Sequence, residues 1–189
     1  MAYFRYDHRG CGKSDGEFSS TTTFEGRCHD LLSAAKTIRG VAKTSDKIAL
    51  FGSSFGGAIS LAMAGALNIS SIVTVAAPLC SELIKEPYVN DPANIPVMQN
   101  LDKGKLFFDI RDRISAISHL MIFHGNDDQI VPFENALELN EKATDPKVLI
   151  CQKNGDHPMS NEIHQKEFMD LAVAWFEKHF RDIFQPRPE

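Results

Sequence analysis

Apolar and polar positions follow two rhythms along this chain. Short, nearly unbroken apolar runs occupy residues 47–51 (K-I-A-L-F), 71–76 (S-I-V-T-V-A), 119–124 (H-L-M-I-F-H) and 147–151 (K-V-L-I-C). Runs of that length without polar alternation predict strands buried on both faces. The aromatic stretch 2–6 (A-Y-F-R-Y) predicts one more short strand. Between these runs the apolar residues recur at helical spacing. Phe24, Cys28, Leu31, Leu32, Ala35 and Ile38 predict a helix over 22–39, opened by a T-x-x-E capping box of Thr22 and Glu25 and ended by Gly40. Residues 55–67, rich in Ala, Gly and Met, predict a close-packed helix, and 132–142 a second with Pro132 in its first turn. Residues 162–180 read as a long amphipathic helix. The stretch 78–118, with Pro78, Pro87, Pro92 and Pro96, is irregular and predicts a small cap-like insertion. The tail from Gln185 is expected to fray.

Strands and helices alternate, so the expected fold class is α/β: a mostly parallel sheet with helices on both faces. The 189 residues match one domain at about 150 residues per domain. With 20 Lys+Arg against 25 Asp+Glu the net charge is −5, which excludes the basic excess a nucleic-acid partner needs. No apolar run reaches membrane-spanning length, and the charges at Arg5, Asp7, Arg9 and Lys13 do not fit a signal peptide. Cys11, Cys28, Cys80 and Cys151 are scattered without a C-x-x-C pair, which predicts a reduced, cytoplasmic protein without a metal site.

The strand 47–51 runs into G-S-S-F-G, residues 52–56, and a helix follows at once. Composition alone gives about a 5% expectation of one chance G-x-S-x-G, so the context matters more than the string. A strand–turn–helix context makes it a nucleophile elbow, with Ser54 lifted above the sheet edge. Gly52 and Gly56 are expected where neighbouring backbone leaves no room for side chains. The N–H of Phe55, opening the helix, points where an oxyanion would form. A serine nucleophile needs a base, and the base an orienting acid. Asp128 lies just past the strand 119–124 and His157 just past the strand 147–151. Both are expected on the sheet edge that carries Ser54, where sites form in open α/β sheets. Ser53 and Asp127 are the rivals for nucleophile and acid. His124 is expected at a strand end, organising the acid loop, and His164 on the surface of the last helix.

These segments resemble the α/β-hydrolase superfamily, and within it the serine aminopeptidase S33-like esterases. Y-D-H-R-G-C-G-K-S-D-G (6–16) is similar to the D-x-R-G-x-G-x-S loop, G-S-S-F-G-G to the elbow, H-G-N-D-D-Q-I-V-P to the acid loop and G-D-H to the histidine loop. The resemblance implies Ser54 as nucleophile, His157 as general base and then acid, Asp128 as its orienting partner, and Phe55 as an oxyanion donor. It assigns no cofactor and no metal, and gives the Asp7–Ser14 loop a structural role. The implied function is hydrolysis of a small carboxylic ester, a thioester or an amide. Leu79, Leu83, Ile84, Met98, Leu101, Phe107 and Phe108 are candidates either for an acyl pocket or for ordinary packing.

Members of the superfamily carry three strands and a helix before the D-x-R-G loop, which here begins at residue 7. Met1 is therefore expected not to be the natural start. A strand between 2–6 and 47–51, and a second oxyanion N–H, are absent from the sequence. The strand 2–6 then moves beside 47–51, or detaches, or a further chain fills the gap in a homo-oligomer. The competing reading is a catalytically impaired fragment, or an interaction module of the same fold.

Overall fold

The computed structural model describes residues 2–41, 47–85 and 103–181. Four strands, β1 (Ala49–Ser53), β2 (Ser71–Val75), β3 (Leu120–Gly125) and β4 (Lys147–Gln152), form one sheet in the order β1-β2-β3-β4. Every pairing is parallel. Five helices accompany them among the described residues: α1 (Phe18–Thr21), α2 (Phe24–Arg39), α3 (Phe55–Leu67), α4 (Glu134–Lys142) and α5 (Glu162–Arg181). The α/β class is as the alternation of runs predicts.

Side chains along a strand point alternately to opposite faces, and here each face has its own core. Ile72, Leu120 and Ile122 pack with Leu61, Ala64 and Leu67 of α3 and with Leu139 of α4. Val73, Val75, Met121 and Phe123 face Phe168, Leu171, Trp175 and Phe176 of α5. Each fully buried Leu, Ile or Phe contributes roughly 1.5–3 kcal/mol, so both layers are needed to hold the sheet.

Two local expectations change. Residues 2–6 form no strand. Ala2 to Arg5 are exposed, and Phe4 stacks on Tyr6 at 6.3 Å instead of entering the sheet. Among the described residues β1 pairs with β2 alone, and a short strand without a hydrogen-bonded neighbour has nothing to hold it extended. The expected capping box of Thr22 and Glu25 does not form, because the helix starts one residue later and Gly26 stands at the position that would hold its acid. Thr23 is the N-cap and accepts from Gly26 N at 2.8 Å. Thr22 turns inward, its Oγ1 accepting from Arg27 Nη2 at 3.1 Å. Boundaries also shift, with β1 starting at Ala49 instead of residue 47 and α4 at Glu134 instead of Pro132.

The Asp7 loop is built by its own residues. Asp7 Oδ2 accepts from Lys13 N, and the Asp7 carbonyl accepts from Ser14 Oγ. Gly12 has φ 54°, and a Cβ there would meet Asp7 Oδ2 at 2.2 Å. Arg9 Nε and N both donate to Asp30 of α2, fixing the loop to that helix.

Among the described residues of 78–118, three 3-10 turns (Ser81–Leu83, Lys103–Leu106, Arg111–Ala116) and a bridge between Cys80 and Asp109 are seen. Leu79 and Phe108 belong to the core, Ile84 packs against it, and Leu83 and Phe107 are exposed. Met98, Leu101 and the tail from Gln185 lie outside the described residues. Lys85 N donates to the Ile130 carbonyl at 2.8 Å, so the chain at Lys85 lies beside the acid loop. Asn135, fully buried at the start of α4, ties the same region together. Its Oδ1 accepts from Leu79 N and its Nδ2 donates to the Pro132 carbonyl.

Replacing Asn135 with Ala strands the buried Leu79 N–H, and we expect a loss of about 2 kcal/mol in unfolding free energy. Urea titration checks this, and a loss within the noise of a surface substitution would show that water replaces the amide.

Candidate active site

The site starts with a backbone conflict that only glycine resolves. The first turn of α3 crosses back over the end of β1 so closely that a Cβ on Gly52 would sit 2.3 Å from the Gly56 carbonyl oxygen. One residue beyond the motif, a Cβ on Gly57 would meet Ala77 Cβ at 2.6 Å. Gly56, expected to be equally confined, has open space where its Cβ would be. The second steric requirement of this elbow falls on Gly57.

Ser54 occupies the apex at φ 50°, ψ −124°. A non-glycine residue there stores on the order of 1–3 kcal/mol of strain. The surroundings hold it: Ser54 N donates to the Val75 carbonyl at 2.7 Å, and Gly57 N donates to the Ser54 carbonyl at 2.8 Å. Phe55 opens α3, so its backbone N–H lies in the first turn beside the Ser54 hydroxyl. The Phe55 ring packs against Phe24 and Phe108, which fixes the peptide that carries this N–H.

The acid and histidine loops touch backbone to backbone. A Cβ on Gly125 would lie 2.1 Å from the Gly155 carbonyl oxygen. Asp127 N donates to that same oxygen at 3.0 Å, and Asn126 N donates to the Gln152 carbonyl. This contact brings Asp128 and His157 together. His157 Nδ1 is 2.8 Å from Asp128 Oδ2, and His157 Nε2 is 3.0 Å from Ser54 Oγ. The three residues expected from chain order therefore form one continuous hydrogen-bonded line. With the carboxylate as acceptor, the proton sits on His157 Nδ1. Nε2 is left to accept the Ser54 hydroxyl proton.

The rivals fall elsewhere. Asp127 is exposed and its Oδ1 accepts from Gln129 Nε2. Ser53 lies within β1, opposite Val75. His164 is half-buried on α5, its carbonyl accepting from Gln152 Nε2. His124, expected at a strand end where it organises the acid loop, lies there. Its side chain is fully buried, with Nε2 2.8 Å from the Val131 carbonyl oxygen and 3.3 Å from Asp128 Oδ2.

Asp128 has none of its side chain in water. Burial alone pushes its pKa up. The contacts from His124 and His157 and the N–H groups of Val131 and Ile130 outweigh it, holding the carboxyl well below the usual carboxylate range. No group of three or more His, Cys, Asp or Glu suited to a metal ion occurs among the described residues. An open cleft of about 450 Å³ lies between Phe4, Tyr6, Asp7, Arg9 and Asp30, and none of the three site residues lines it.

A family match covers residues 1–101, more than half of the chain, under the description serine aminopeptidase, S33. The chain belongs to that hydrolase family. The matched span includes the Asp7 loop and the Ser54 elbow and ends before Asp128 and His157. The protein YfhR of Escherichia coli K12 is 27% identical over 187 residues, covering 90% of this chain and 60% of its own length. The chain thus spans little more than half the length of the curated relatives it matches. An esterase domain from a Rhodothermus marinus protein is 26% identical with a TM-score of 0.60, covering 84% of this chain and 69% of that one. A hydrolase from Agrobacterium vitis S4, titled putative, is 26% identical with a TM-score of 0.68, covering 89% and 74%. The fold is that of the α/β-hydrolases.

Two predictions follow from the geometry of Gly52 and Asp128. Gly52→Ala is expected to abolish reaction of Ser54 with a fluorophosphonate while Gly56→Ala retains it, and equal labelling of the two variants would refute the asymmetry. For Asp128, the unfolded carboxyl titrates near 3.9, above the folded value, so the unfolded chain takes up the proton first as pH falls. The stability it contributes is complete above about pH 5 and drains away below about pH 4. Unfolding free energies measured by urea across that range should fall more steeply for the native protein than for Asp128→Asn. Parallel slopes would mean that other groups carry the acid sensitivity.

Proposed function

We propose that this chain is a serine hydrolase that cleaves a small carboxylic ester through an acyl-enzyme, with Ser54 as nucleophile, His157 as base and Asp128 as orienting acid. The observation that carries the reading is the unbroken line from Ser54 Oγ through His157 to Asp128 Oδ2, at 3.0 and 2.8 Å. His157 takes the Ser54 proton as the hydroxyl attacks the carbonyl carbon. The resulting oxyanion lies beside the Phe55 N–H. The imidazolium then returns the proton to the departing alkoxide, and water repeats the two steps on the acyl-enzyme. Asp128 stays ionised throughout and stabilises the imidazolium.

Family membership supports hydrolysis under a description that names an aminopeptidase, and the Rhodothermus esterase domain is what favours an ester over an amide. The bond from Lys85 N to the Ile130 carbonyl, which holds the stretch 78–118 against the acid loop at that point, supports a small cap there. The four free cysteines fit a reducing compartment such as the cytoplasm.

Fluorophosphonate labelling of the chain beside Ser54→Ala tests this reading. Labelling is expected in the native protein and lost in the variant, with His157→Ala reducing ester turnover by at least about 10³-fold. A folded native chain that takes no label would overturn the enzymatic reading in favour of a binding module.

A further inference from the structure

The Asp128 carboxylate is engaged on every side, and one of its neighbours has no place in the acyl-transfer steps. Oδ1 accepts from Ile130 N at 2.9 Å and Val131 N at 2.8 Å. Oδ2 faces two imidazoles, His157 Nδ1 at 2.8 Å and His124 Nε2 at 3.3 Å. His124 Nε2 is also 2.8 Å from the Val131 carbonyl oxygen, so this nitrogen looks at two acceptors and must carry the proton. His124 Nδ1 is buried and has no hydrogen-bond partner among the described residues. That arrangement is expensive for a strand residue whose only task is packing, since a leucine would leave no orphaned nitrogen. The ring is held edge-on to Phe133 at 5.8 Å.

We propose that His124 is a positioning residue for the candidate acid, its Nε2–H fixing the Asp128 carboxylate in the rotation that presents Oδ2 to His157. The proposal rests on the reading of Ser54, His157 and Asp128 as a triad. Geometry explains why the two N–H contacts on Oδ1 do not suffice. They pin one oxygen, and the carboxylate still turns about that anchor. A donor on the far side of Oδ2 removes this freedom and leaves the approach from His157 open. The shared Val131 carbonyl links the same proton to the backbone of the acid loop.

The test is a double-mutant cycle read on p-nitrophenyl acetate, with His124→Phe, Asp128→Asn and both together, and His124→Gln as the conservative variant. A glutamine amide reaches the Nε2 position and donates, whereas phenylalanine keeps the ring and loses the donor. His124→Phe is expected to lower kcat about tenfold with KM within about twofold, and His124→Gln to recover to within about threefold of the native protein. In the Asp128→Asn background the same His124→Phe change should cost less than about twofold, because the group it acts through is gone. Equal losses in both backgrounds, or a glutamine variant as slow as phenylalanine, would overturn the proposal. Should the phenylalanine variant fail to fold, His124→Asn, whose amide stops short of Oδ2, replaces it. Side-chain NMR of the His157 Nδ1–H gives a readout independent of turnover. The resonance should move in His124→Phe and stay in His124→Gln, and an unmoved resonance in both would refute positioning. A native protein that hydrolyses no ester while this resonance responds as stated would sink the hydrolase reading and leave the positioning role standing.

Discussion

A carboxylate with no side-chain surface in water must find its solvation inside the protein, and the site is arranged around that need. Removing one charge from water costs several kcal/mol unless hydrogen bonds replace the lost hydration. Asp128 draws these from two backbone N–H groups of its own turn, from His157 and from the neighbouring His124. The tight turn after β3 supplies the first two. The β3–β4 register supplies the third, since it brings Gly125 opposite Gln152 and lets Gly155 approach. A side chain at Gly125 would push the histidine loop away and leave the buried charge short of a donor. The contacts that solvate the buried Asp128 charge are therefore the same ones that orient His157.

The elbow solves a different problem at the opposite end of the line. Its strain at Ser54 is held by one hydrogen bond to β2 and by the first turn of α3. It also depends on the absence of atoms at Gly52 and Gly57. None of these features touches Asp128. Ser54 and Asp128 are positioned by separate means, and His157 is the side chain through which they meet. An imidazole held at one nitrogen by a rigid acceptor can adjust to a serine presented on an independent turn.

How much of this was legible in the sequence depends on the range of the interaction. β2 and β3 were readable because burial on both faces leaves its mark on every residue of a run, whereas β1 and β4, expected to be equally buried, are half-open at the sides of the sheet, with Phe51 and Cys151 exposed. Chain order and loop position were enough to single out Ser54, Asp128 and His157, since all three follow strand ends on one edge of a parallel sheet. Residues 2–6 misled for a physical reason. An aromatic run has strand character, but a strand exists only beside another, and β1 has a single neighbour among the described residues. The capping residue was missed because Glu25 stands three residues after Thr22 and not after Thr23, whereas in the structure Thr22 is drawn inward by Arg27 and leaves the cap to Thr23. Gly57 was passed over for Gly56 because the motif names a spacing, whereas the clash depends on where Ala77 lies. Asn135 carried no signal at all, its partner Leu79 being 56 positions away.

The strand order assigns the three site residues unequal mechanical support. β3, which ends in the acid loop, has a strand on each side, whereas β1 and β4, which lead to Ser54 and to the histidine loop, each have one among the described residues. Edge strands and the loops they carry open at lower free energy than interior ones. The acid is thus the fixed point, and both residues that depend on it hang from more yielding elements. That ordering fits the acyl transfer proposed for this site. The Asp128 charge is buried on the strand with a neighbour on each side, while Ser54 and His157, which in the proposed reaction exchange a proton, follow strands with one neighbour each among the described residues.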